Sequence, residues 1–347
     1  MAQLTLARYE AQGNDFLIAL MSGRELELLD RALAARGLDR AAVAQSICDR
    51  ATGVGTRPSY RHSRGADGFI IGLDRRPRDS VRMHLLNSDG SFAETSGNGL
   101  ACLAQASHDA GIIGSGPLQA FETDAGEQHC TVWHAKQAPD PESAQSAGAD
   151  EWFVEVAMPV VVEGPEIPPE LEDRIRGTFG GDLRHLGTGS VGNPHLVIAL
   201  RRPPVSVPVP ELSKHAADLG ECVARLGRIY ETYFPDGINV EFIWPFRPNP
   251  VQRDQAWTLQ MSVWERGAGL TVSCGSGSVV AATLARRWGF VRDINEVDIW
   301  TAPVSDSNGM HGESLQIRVR TNPPPQLRVI AERIETGISF ELDSIGA

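Results

Sequence analysis

Apolar residues occur along the chain in short runs of five to seven, a length typical of β-strands. Most of these runs contain the branched and aromatic residues that strands favour. The runs are residues 16–20, 69–73, 81–86, 152–158, 195–200, 239–244 and 315–320. They predict a protein in which strands predominate.

Three stretches have a helical pattern instead. Residues 25–37 place apolar side chains at helical spacing. Residues 97–111 and 275–289 each begin at a glycine-rich turn and end at a glycine, which is a common helix stop. Because both kinds of element are present, we expect an α+β fold with mainly antiparallel sheet.

Polar and proline-rich stretches predict exposed segments between these elements. Residues 56–64 are polar and basic, and residues 135–150 are rich in Ala, Pro and Ser. Residues 247–255 have a similar polar composition. The stretch 201–210 cannot continue a strand ladder, because its prolines donate no backbone hydrogen bond.

The two glycine-started helices share a sequence pattern. SGNGLACLAQA begins at Ser96, and CGSGSVVAATLA begins at Cys274. In both, apolar strands lead to a small nucleophilic residue, then to Gly-x-Gly and a helix of small residues. A repeated pattern of this kind indicates a duplicated architecture.

Length and charge narrow the class of protein. A chain of 347 residues is long enough for two domains with proper cores. Its net charge of −12 repels phosphate backbones, so we expect no nucleic-acid partner. No apolar run approaches the ~20 residues that span a bilayer, and no secretory leader is recognisable. We therefore expect a cytoplasmic protein without a membrane partner.

Cysteine spacing favours reduced thiols. The five cysteines are widely spaced and form no C-x-x-C pair, so neither a zinc knuckle nor a redox dithiol is indicated. Four of them are interpreted as buried and structural, the usual state of an isolated cysteine. These four are Cys48, Cys102, Cys130 and Cys222.

Cys274 is the exception, because it directly precedes a predicted helix. The first backbone N–H groups of a helix are unpaired and carry partial positive charge. This setting predicts a lowered thiol pKa and a reactive thiolate. The N–H groups of Gly275 and Ser276 could bind a substrate carboxylate.

Ser96 holds the same position before the other helix. Serine there is also one of the best helix caps, so a plain capping role is the alternative. Neither glycine-rich turn is a dinucleotide fingerprint, since the third glycine and the later acidic residue are missing. Neither is a phosphate-binding P-loop, since no Gly-Lys-Ser/Thr follows.

Six motifs occur in order along nearly the whole chain. They are GNDF (13–16), ICDRATGVG with GADGF (47–55 and 65–69), NSDGSFAETSGNG (87–99), GNPH (192–195), FPDGINVEF (234–242) and WERGAGLTVSCGSG (264–277). They resemble the motifs of the diaminopimelate epimerase family, in the wider group that includes proline racemase. Any one of them could arise by chance, but six in the correct order are specific. Residues 56–64 interrupt the second motif and are an insertion relative to the family.

The resemblance implies roles for the matching residues. Cys274 matches one catalytic cysteine, while His195 and Glu265 match residues that assist proton transfer. Matched asparagines and an arginine hold the distal end of the substrate, and helix-start residues hold its α-carboxylate. The implied substrate-binding set is Asn14, Asn87, Gly97, Asn98, Asn193, Asn239, Glu265, Arg266, Gly275 and Ser276. The family is homodimeric and uses neither pyridoxal phosphate nor metal, so we expect no cofactor and a homodimer.

Elementary chemistry agrees with such a site. The Cα–H of an amino acid is a very weak acid, so its removal needs a base and stabilisation of charge on the carboxylate. Inversion needs a second group that returns a proton on the opposite face. Two similar helix starts, one in each half, suit that requirement.

The sequence departs from the family at two positions of the first helix. Ser96 replaces the second catalytic cysteine, and Ala101 replaces an arginine. A hydroxyl is a much weaker acid than a thiol, which leaves alternatives open. The chain could be a racemase or a β-hydroxy-amino-acid dehydratase acting on another amino acid, or a non-catalytic amino-acid-binding protein.

We expect two similar halves, each with a curved, barrel-like, mainly antiparallel sheet around a central helix. The N-terminal half should comprise residues 1–119 with about 335–347, and the C-terminal half residues 120–334. The active site should lie in the cleft between them. The expected reaction converts LL- to meso-diaminopimelate by proton transfer through Cys274 and Ser96.

Overall fold

The computed structural model describes most of the chain. The described residues are 3–58, 62–74, 80–93, 96–137, 152–206, 218–246, 258–267, 269–291, 296–302, 316–322 and 324–345. The helices are α1 (Gly23–Ala34), α2 (Arg40–Cys48), α3 (Gly97–Asp109), α4 (Pro169–Phe179), α5 (Leu219–Glu231) and α6 (Gly275–Arg287).

The strands are β1 (Gln3–Ala11), β2 (Asn14–Ser22), β3 (Gly68–Asp74), β4 (Ser80–Asn87), β5 (Phe92–Ala93), β6 (Gln119–Thr123), β7 (Gly126–His134), β8 (Trp152–Ala157), β9 (Val162–Glu163), β10 (Leu183–Ser190), β11 (Pro194–Leu200), β12 (Asn239–Phe246), β13 (Thr258–Glu265), β14 (Gly269–Thr271), β15 (Glu296–Thr301), β16 (Gln316–Arg320), β17 (Gln326–Val329) and β18 (Ala331–Glu341). All seven apolar runs fall on strands, and all three predicted helices form. The α+β class is confirmed, and the described pairings give mixed sheets rather than closed barrels.

The chain divides into two compact units. Unit 1 is Met1–Ala157 with Arg328–Ala347, and unit 2 is Met158–Leu327. These bounds differ from the expected division after residue 119 and before residue 335. The reason is that β6 pairs with β4 and β7 pairs with β6 and β8, so these strands extend the sheet of unit 1. The last strand, β18, pairs with β1, also within unit 1.

The same sequence of strand pairings occurs in both units. In unit 1, β1–β2 is antiparallel, β2–β3 parallel, β3–β4 antiparallel, β4–β6 parallel and β6–β7 antiparallel. In unit 2, strands β10, β11, β12, β13, β15 and β16 pair in the same order and directions. Each unit also has a short strand just before its buried helix. In unit 1, β5 pairs with β4 and precedes α3, and in unit 2, β14 pairs with β13 and precedes α6. This repetition supports the duplication that the two helix-start motifs predict.

Strands β2 and β3 of unit 1 are buried on both faces, which explains why their sequences are apolar along most of their length rather than alternating. On one face, Leu17 and Phe69 pack with side chains of α1 and α2. On the other face lies α3, almost entirely buried, where Ile70 lies against Gly99. The predicted central helix is therefore present in this unit.

Unit 2 repeats this layering with different helices. Side chains of α4 and α5 cover the face that includes Leu196, Val240 and Phe242. The opposite face of β10, β11 and β12 carries α6, which is buried from Gly277 to Ala285. Each sheet thus supports one buried helix whose first turn is the candidate site.

Among the described residues, the sequence analysis missed the helices α2, α4 and α5. Of the predicted loops, residues 59–61, 138–150, 207–210 and 247–255 lie outside the described residues. Residues Pro204–Ser206 form a short 3-10 turn, in keeping with the break expected at the prolines. Within the described ranges, no helix combines the length and apolar character that a bilayer crossing requires.

Candidate active site

Ser96 and Cys274 cap their helices in the same way. Ser96 is the N-cap of α3, and its Oγ accepts a hydrogen bond of 3.1 Å from the N–H of Gly99. Cys274 is the N-cap of α6, and its Sγ accepts one of 3.4 Å from the N–H of Gly277. Both residues have extended backbone, with φ and ψ of −149° and 124° for Ser96 and −131° and 112° for Cys274. The two side chains are therefore local equivalents in the duplicated units.

The thiol of Cys274 lies among polar groups in a nearly buried position, 4% exposed. Its Sγ is 3.3 Å from Oγ of Ser276, and it hydrogen-bonds to the carboxylate of Glu265. The hydroxyl of Thr271 donates to the same carboxylate. A proton can therefore pass between the thiol and Glu265 without a large movement.

The predicted lowering of the Cys274 pKa is wrong. Burial raises the pKa of this thiol well above its ordinary value, and the carboxylates of Glu265 and Glu241 raise it further. The hydrogen bonds from Ser276 and Gly277 act in the opposite direction but are outweighed. The sequence showed the helix start, but it did not show that the thiol is buried or that Glu241 lies beside it. The raised pKa keeps the thiol of Cys274 protonated.

Burial also raises the pKa of Glu265, and the hydrogen bonds from Thr271 and Cys274 oppose this shift. A carboxyl group with a raised pKa is easier to protonate near neutral pH, as a proton-transfer group requires.

His195 is fully buried on β11 and is held by a carboxylate. Its Nδ1 lies 2.6 Å from Oε1 of Glu241, which is also fully buried. The amide nitrogen of Asn239 lies 3.5 Å from the same Nδ1. In the described part of the chain, Nε2 of His195 has no hydrogen-bond partner. Thus Nδ1 of the ring contacts the carboxylate, whereas Nε2 is open, which means that it has no partner among the described residues.

The other predicted residues of unit 2 join the same network. Asn193 donates a hydrogen bond of 3.3 Å to Oγ of Ser276, next to the thiol. The side-chain oxygen of Asn239 accepts a bond of 2.8 Å from the backbone N–H of Arg266. The guanidinium of Arg266 is exposed and donates to the carbonyl of Asp236. Gly275 is the first residue of α6, where the N–H has no intrahelical partner.

Unit 1 contains a second, smaller group around the start of α3. Asn98 donates a hydrogen bond of 2.7 Å to Oδ1 of Asn14, and Asn14 lies 3.4 Å from a carboxylate oxygen of Asp67. Gly97 opens the helix, so its N–H and that of Asn98 belong to the unpaired first turn. Asn87 is exposed and donates to Ser91, with no bond to this group among the described residues.

Charged side chains next to Asn14 form a network of ion pairs. Asp15 is buried and pairs with Arg8 and with Arg50, which also reaches Asp67 at 2.6 Å. Although burial favours the neutral acid, Arg50 and Arg8 hold the pKa of Asp15 below its usual value. Arg8 also donates to the backbone carbonyls of residues 57, 62 and 63, so it anchors the described ends of the predicted insertion.

The chain is similar over most of its length to curated proteins named diaminopimelate epimerase. A diaminopimelate epimerase of Synechococcus sp. (strain JA-3-3Ab) is 31% identical over 292 residues, covering 82% of this chain and 85% of the relative. One from Prochlorococcus marinus (strain MIT 9313) is 31% identical over 309 residues, covering 86% and 83%. This chain belongs to the diaminopimelate epimerase family. It is accordingly an isomerase.

Solved structures place the fold of this family member in a wider group. A phenazine biosynthesis protein of Bacillus anthracis matches with a TM-score of 0.58 at 14% identity, covering 99% of both chains. A hydroxyproline epimerase of Agrobacterium vitis matches with a TM-score of 0.52 at 14% identity, covering 99% of this chain and 94% of the other. No protein-family model matches the chain.

Sequence reasoning missed several residues of this diaminopimelate epimerase family member that contact the predicted set, among them Glu241 and Asp67. A signal for Glu241 exists in NVEFIW, because a charged residue in an otherwise apolar strand is costly to bury. Strand periodicity places Glu241 on the same face as Asn239. Asp67 gave no comparable signal, since it stands in a turn where aspartate is ordinary.

Proposed function

We propose that the chain is a cofactor-independent epimerase that inverts a Cα of diaminopimelate, converting the LL form to the meso form. The observation that carries the proposal is the matched pair of helix starts, each capped by a side chain that can exchange a proton. The relatives named for this substrate support its identity.

Cys274 and Ser96 are assigned as the two proton-transfer groups. Inversion requires that one group removes the Cα proton and that another returns a proton on the opposite face. The unpaired N–H groups of Gly97, Asn98, Gly275 and Ser276 would stabilise charge that develops on the α-carboxylate.

Glu265 and His195 are assigned to support the thiol. The raised pKa of Cys274 keeps the proton on sulfur, so the thiol is ready to donate to a carbanion. To act as a base it must first lose that proton, and the hydrogen-bonded carboxylate of Glu265 can accept it. The positive ammonium of a bound substrate would favour this transfer, because it stabilises the thiolate.

The distal end of the substrate is assigned to the asparagines and the arginine. Asn14, Asn87, Asn193 and Asn239, with Arg266 and Glu265, offer donors and acceptors that match an ammonium and a carboxylate. Sites built to hydrogen-bond such groups reject substrates that lack them. The small zwitterionic substrate is thus distinguished from simple apolar amino acids.

Hydrogen exchange tests the proposal directly. Purified protein is incubated with LL-diaminopimelate in heavy water, and the Cα–H signal is followed by proton NMR together with the appearance of the meso form. Exchange with inversion supports the proposal, and Cys274→Ala should abolish both. The same assay with EDTA tests the expectation that no metal takes part. Absence of exchange with diaminopimelate would overturn the assignment of substrate.

Ser96 favours one second candidate. The combination of a strong and a weak acid/base group suits abstraction of a Cα proton without return of a proton to the other face. If the substrate carries a β-hydroxyl, that group leaves as water, and the resulting enamine hydrolyses to a 2-oxo acid and ammonia. Ammonia release from serine or threonine, without exchange of diaminopimelate, would favour this dehydratase.

We also propose that the protein is a cytoplasmic homodimer, as its relatives' shared family implies. Light scattering at micromolar concentration tests the dimer, and fractionation of the producing cells tests the location. A monomeric mass would contradict the first of these.

A further inference from the structure

Glu241 is a buried carboxylate to which neither the motif matches nor the proposed mechanism gives a role. It lies on β12 with no exposed surface, and its Oε1 is 2.6 Å from Nδ1 of His195. Its Oε2 has no hydrogen-bond partner among the described residues. Burying a charged group is costly unless a partner compensates, so this position needs a reason.

The short contact fixes the tautomer of His195. A separation of 2.6 Å requires a proton between Nδ1 and the carboxylate, and an ionised carboxylate can only accept one. Asn239, at 3.5 Å from the same nitrogen, is too distant to compete. Nδ1 is therefore the nitrogen engaged by the carboxylate, and Nε2 is the nitrogen without a partner among the described residues.

Glu241 also lies against the first turn of α6. A Cβ added at Gly277 would stand 2.4 Å from Oε1 of Glu241, so only glycine admits the carboxylate at this point. One atom each of His195, Glu241 and Cys274 lie within 4.8 Å of one another. The carboxylate thus lies beside both the imidazole and the thiol.

We propose that Glu241 is a positioning residue that holds His195 in the tautomer with an unprotonated Nε2, ready to accept a proton from the substrate or from Cys274. This inference rests on the proposed function. Glu241 acts through His195 and need not touch the substrate. The arrangement follows a general rule in which a carboxylate on one ring nitrogen sets the orientation and tautomer of a histidine.

The negative charge of Glu241 has a second effect, on the thiol. Because it raises the pKa of Cys274, it helps to keep the proton on sulfur. Removal of this charge should therefore make the free thiol more reactive while making catalysis slower. A purely structural carboxylate would produce no such opposite changes.

Nitrogen NMR of the wild-type protein tests the tautomer without any substrate. The His195 ring signals are assigned by comparison with His195→Asn, and we expect a protonated Nδ1 and an unprotonated Nε2. A proton on Nε2 in the wild type overturns the inference. Because this readout needs no activity, it stands apart from the test of the proposed function.

A double-mutant cycle tests the catalytic consequence. Glu241→Gln keeps the shape of the side chain, but its amide can donate or accept and so no longer fixes the tautomer. We expect kcat for Cα exchange to fall by about ten- to a hundredfold with KM changed less than about threefold, in the range found for outer partners of functional histidines. In the His195→Asn background the same substitution should have little further effect.

Alkylation of Cys274 by iodoacetamide supplies the last readout. In Glu241→Gln the rate of alkylation at pH 8 should rise, and folding is checked by circular dichroism.

Two kinetic outcomes overturn the inference even if the wild type is an active epimerase. One is a kcat in Glu241→Gln equal to that of the wild type. The other is that Glu241→Gln lowers kcat as much in the His195→Asn background as it does in the wild type. If the wild type exchanges no amino acid, the proposed function fails, and the NMR result decides the tautomer alone.

Discussion

The side-chain amide of Asn98 donates a hydrogen bond of 2.7 Å to the side-chain oxygen of Asn14. This bond joins the first turn of α3 to the start of β2, and it leaves Oδ1 of Asn98 without a partner in the described part of the chain. Asn14 is held on its other side by Asp67. An amide held at both ends is oriented before the substrate arrives.

The first prediction follows from this bond. Asn98→Ala frees Asn14 and should raise KM for diaminopimelate about three- to tenfold, the equivalent of one ordinary hydrogen bond. The value of kcat should change less, because neither side chain transfers the proton. Steady-state kinetics in both directions measure the effect. A fall in kcat at constant KM would show instead that Asn98 acts on the transition state.

The second prediction concerns the hydroxyl of Ser96. Ser96→Cys supplies a more acidic proton at the same capping position and should raise the rate of inversion, on the order of tenfold or more. Ser96→Ala is the matched control, which should lose inversion and cost about 1 kcal/mol of stability through the missing cap. Exchange in heavy water with chiral analysis measures both variants. Slower inversion in Ser96→Cys would refute the assignment of Ser96.

The third prediction uses the buried charges of unit 1. Asp15→Asn leaves Arg8 buried beside a neutral group and should lower the free energy of unfolding at pH 7 by about 3–5 kcal/mol. The folded-state pKa of Asp15 is lowered, so its contribution is complete above the unfolded pKa and is lost as the pH falls through the folded value. The difference between variant and wild type should therefore shrink on acidification.

Urea denaturation at pH 7 and at pH 3 measures that difference. Asp343→Asn is the control, since Asp343 pairs with Arg36 at the exposed surface and should matter little at either pH. A constant difference between Asp15→Asn and wild type at both pH values would contradict the electrostatic explanation.

The fourth prediction compares two glycines inside helices. A Cβ at Gly227 of α5 would stand 2.3 Å from Cβ of Trp264, whereas a Cβ at Gly177 of α4 would meet nothing within 4 Å. Gly227→Ala should therefore destabilise the protein by about 1–3 kcal/mol despite the better helix propensity of alanine. Gly177→Ala should stabilise it by up to ~1 kcal/mol. Thermal unfolding that ranks the two variants in the reverse order would show the packing of α5 on β13 to be wrong.

The sequence predicted secondary structure and helix caps well wherever neighbouring residues along the chain determine them. Apolar runs identified the strands because both sheet faces are covered, and the glycine-rich starts of α3 and α6 identified the two buried helices. The capping positions of Ser96 and Cys274 followed from the same local pattern. Six ordered motifs then identified the family.

Features that depend on distant neighbours could not be predicted. The helix α5 was missed although Asp218 caps it well, because the proline-rich stretch before it suggested a loop. The Cys274 pKa was predicted in the wrong direction, since burial and Glu241 come from elements far away in the chain. The division between the units was misplaced because pairing of β6 with β4 is not visible in either strand alone.

The partnership of β1 with β18 has a consequence for biosynthesis. In the native fold, β1 pairs with β18, from Gln3 with Glu341 to Ala11 with Ala331, so it leaves the ribosome more than three hundred residues before its partner strand. Unit 2 is continuous and can close as soon as its own residues have emerged. Until β18 has been made, the backbone N–H and C=O groups on one edge of β1 have no strand to pair with. Nascent chains stalled before β18 should therefore be the aggregation-prone species that chaperones bind.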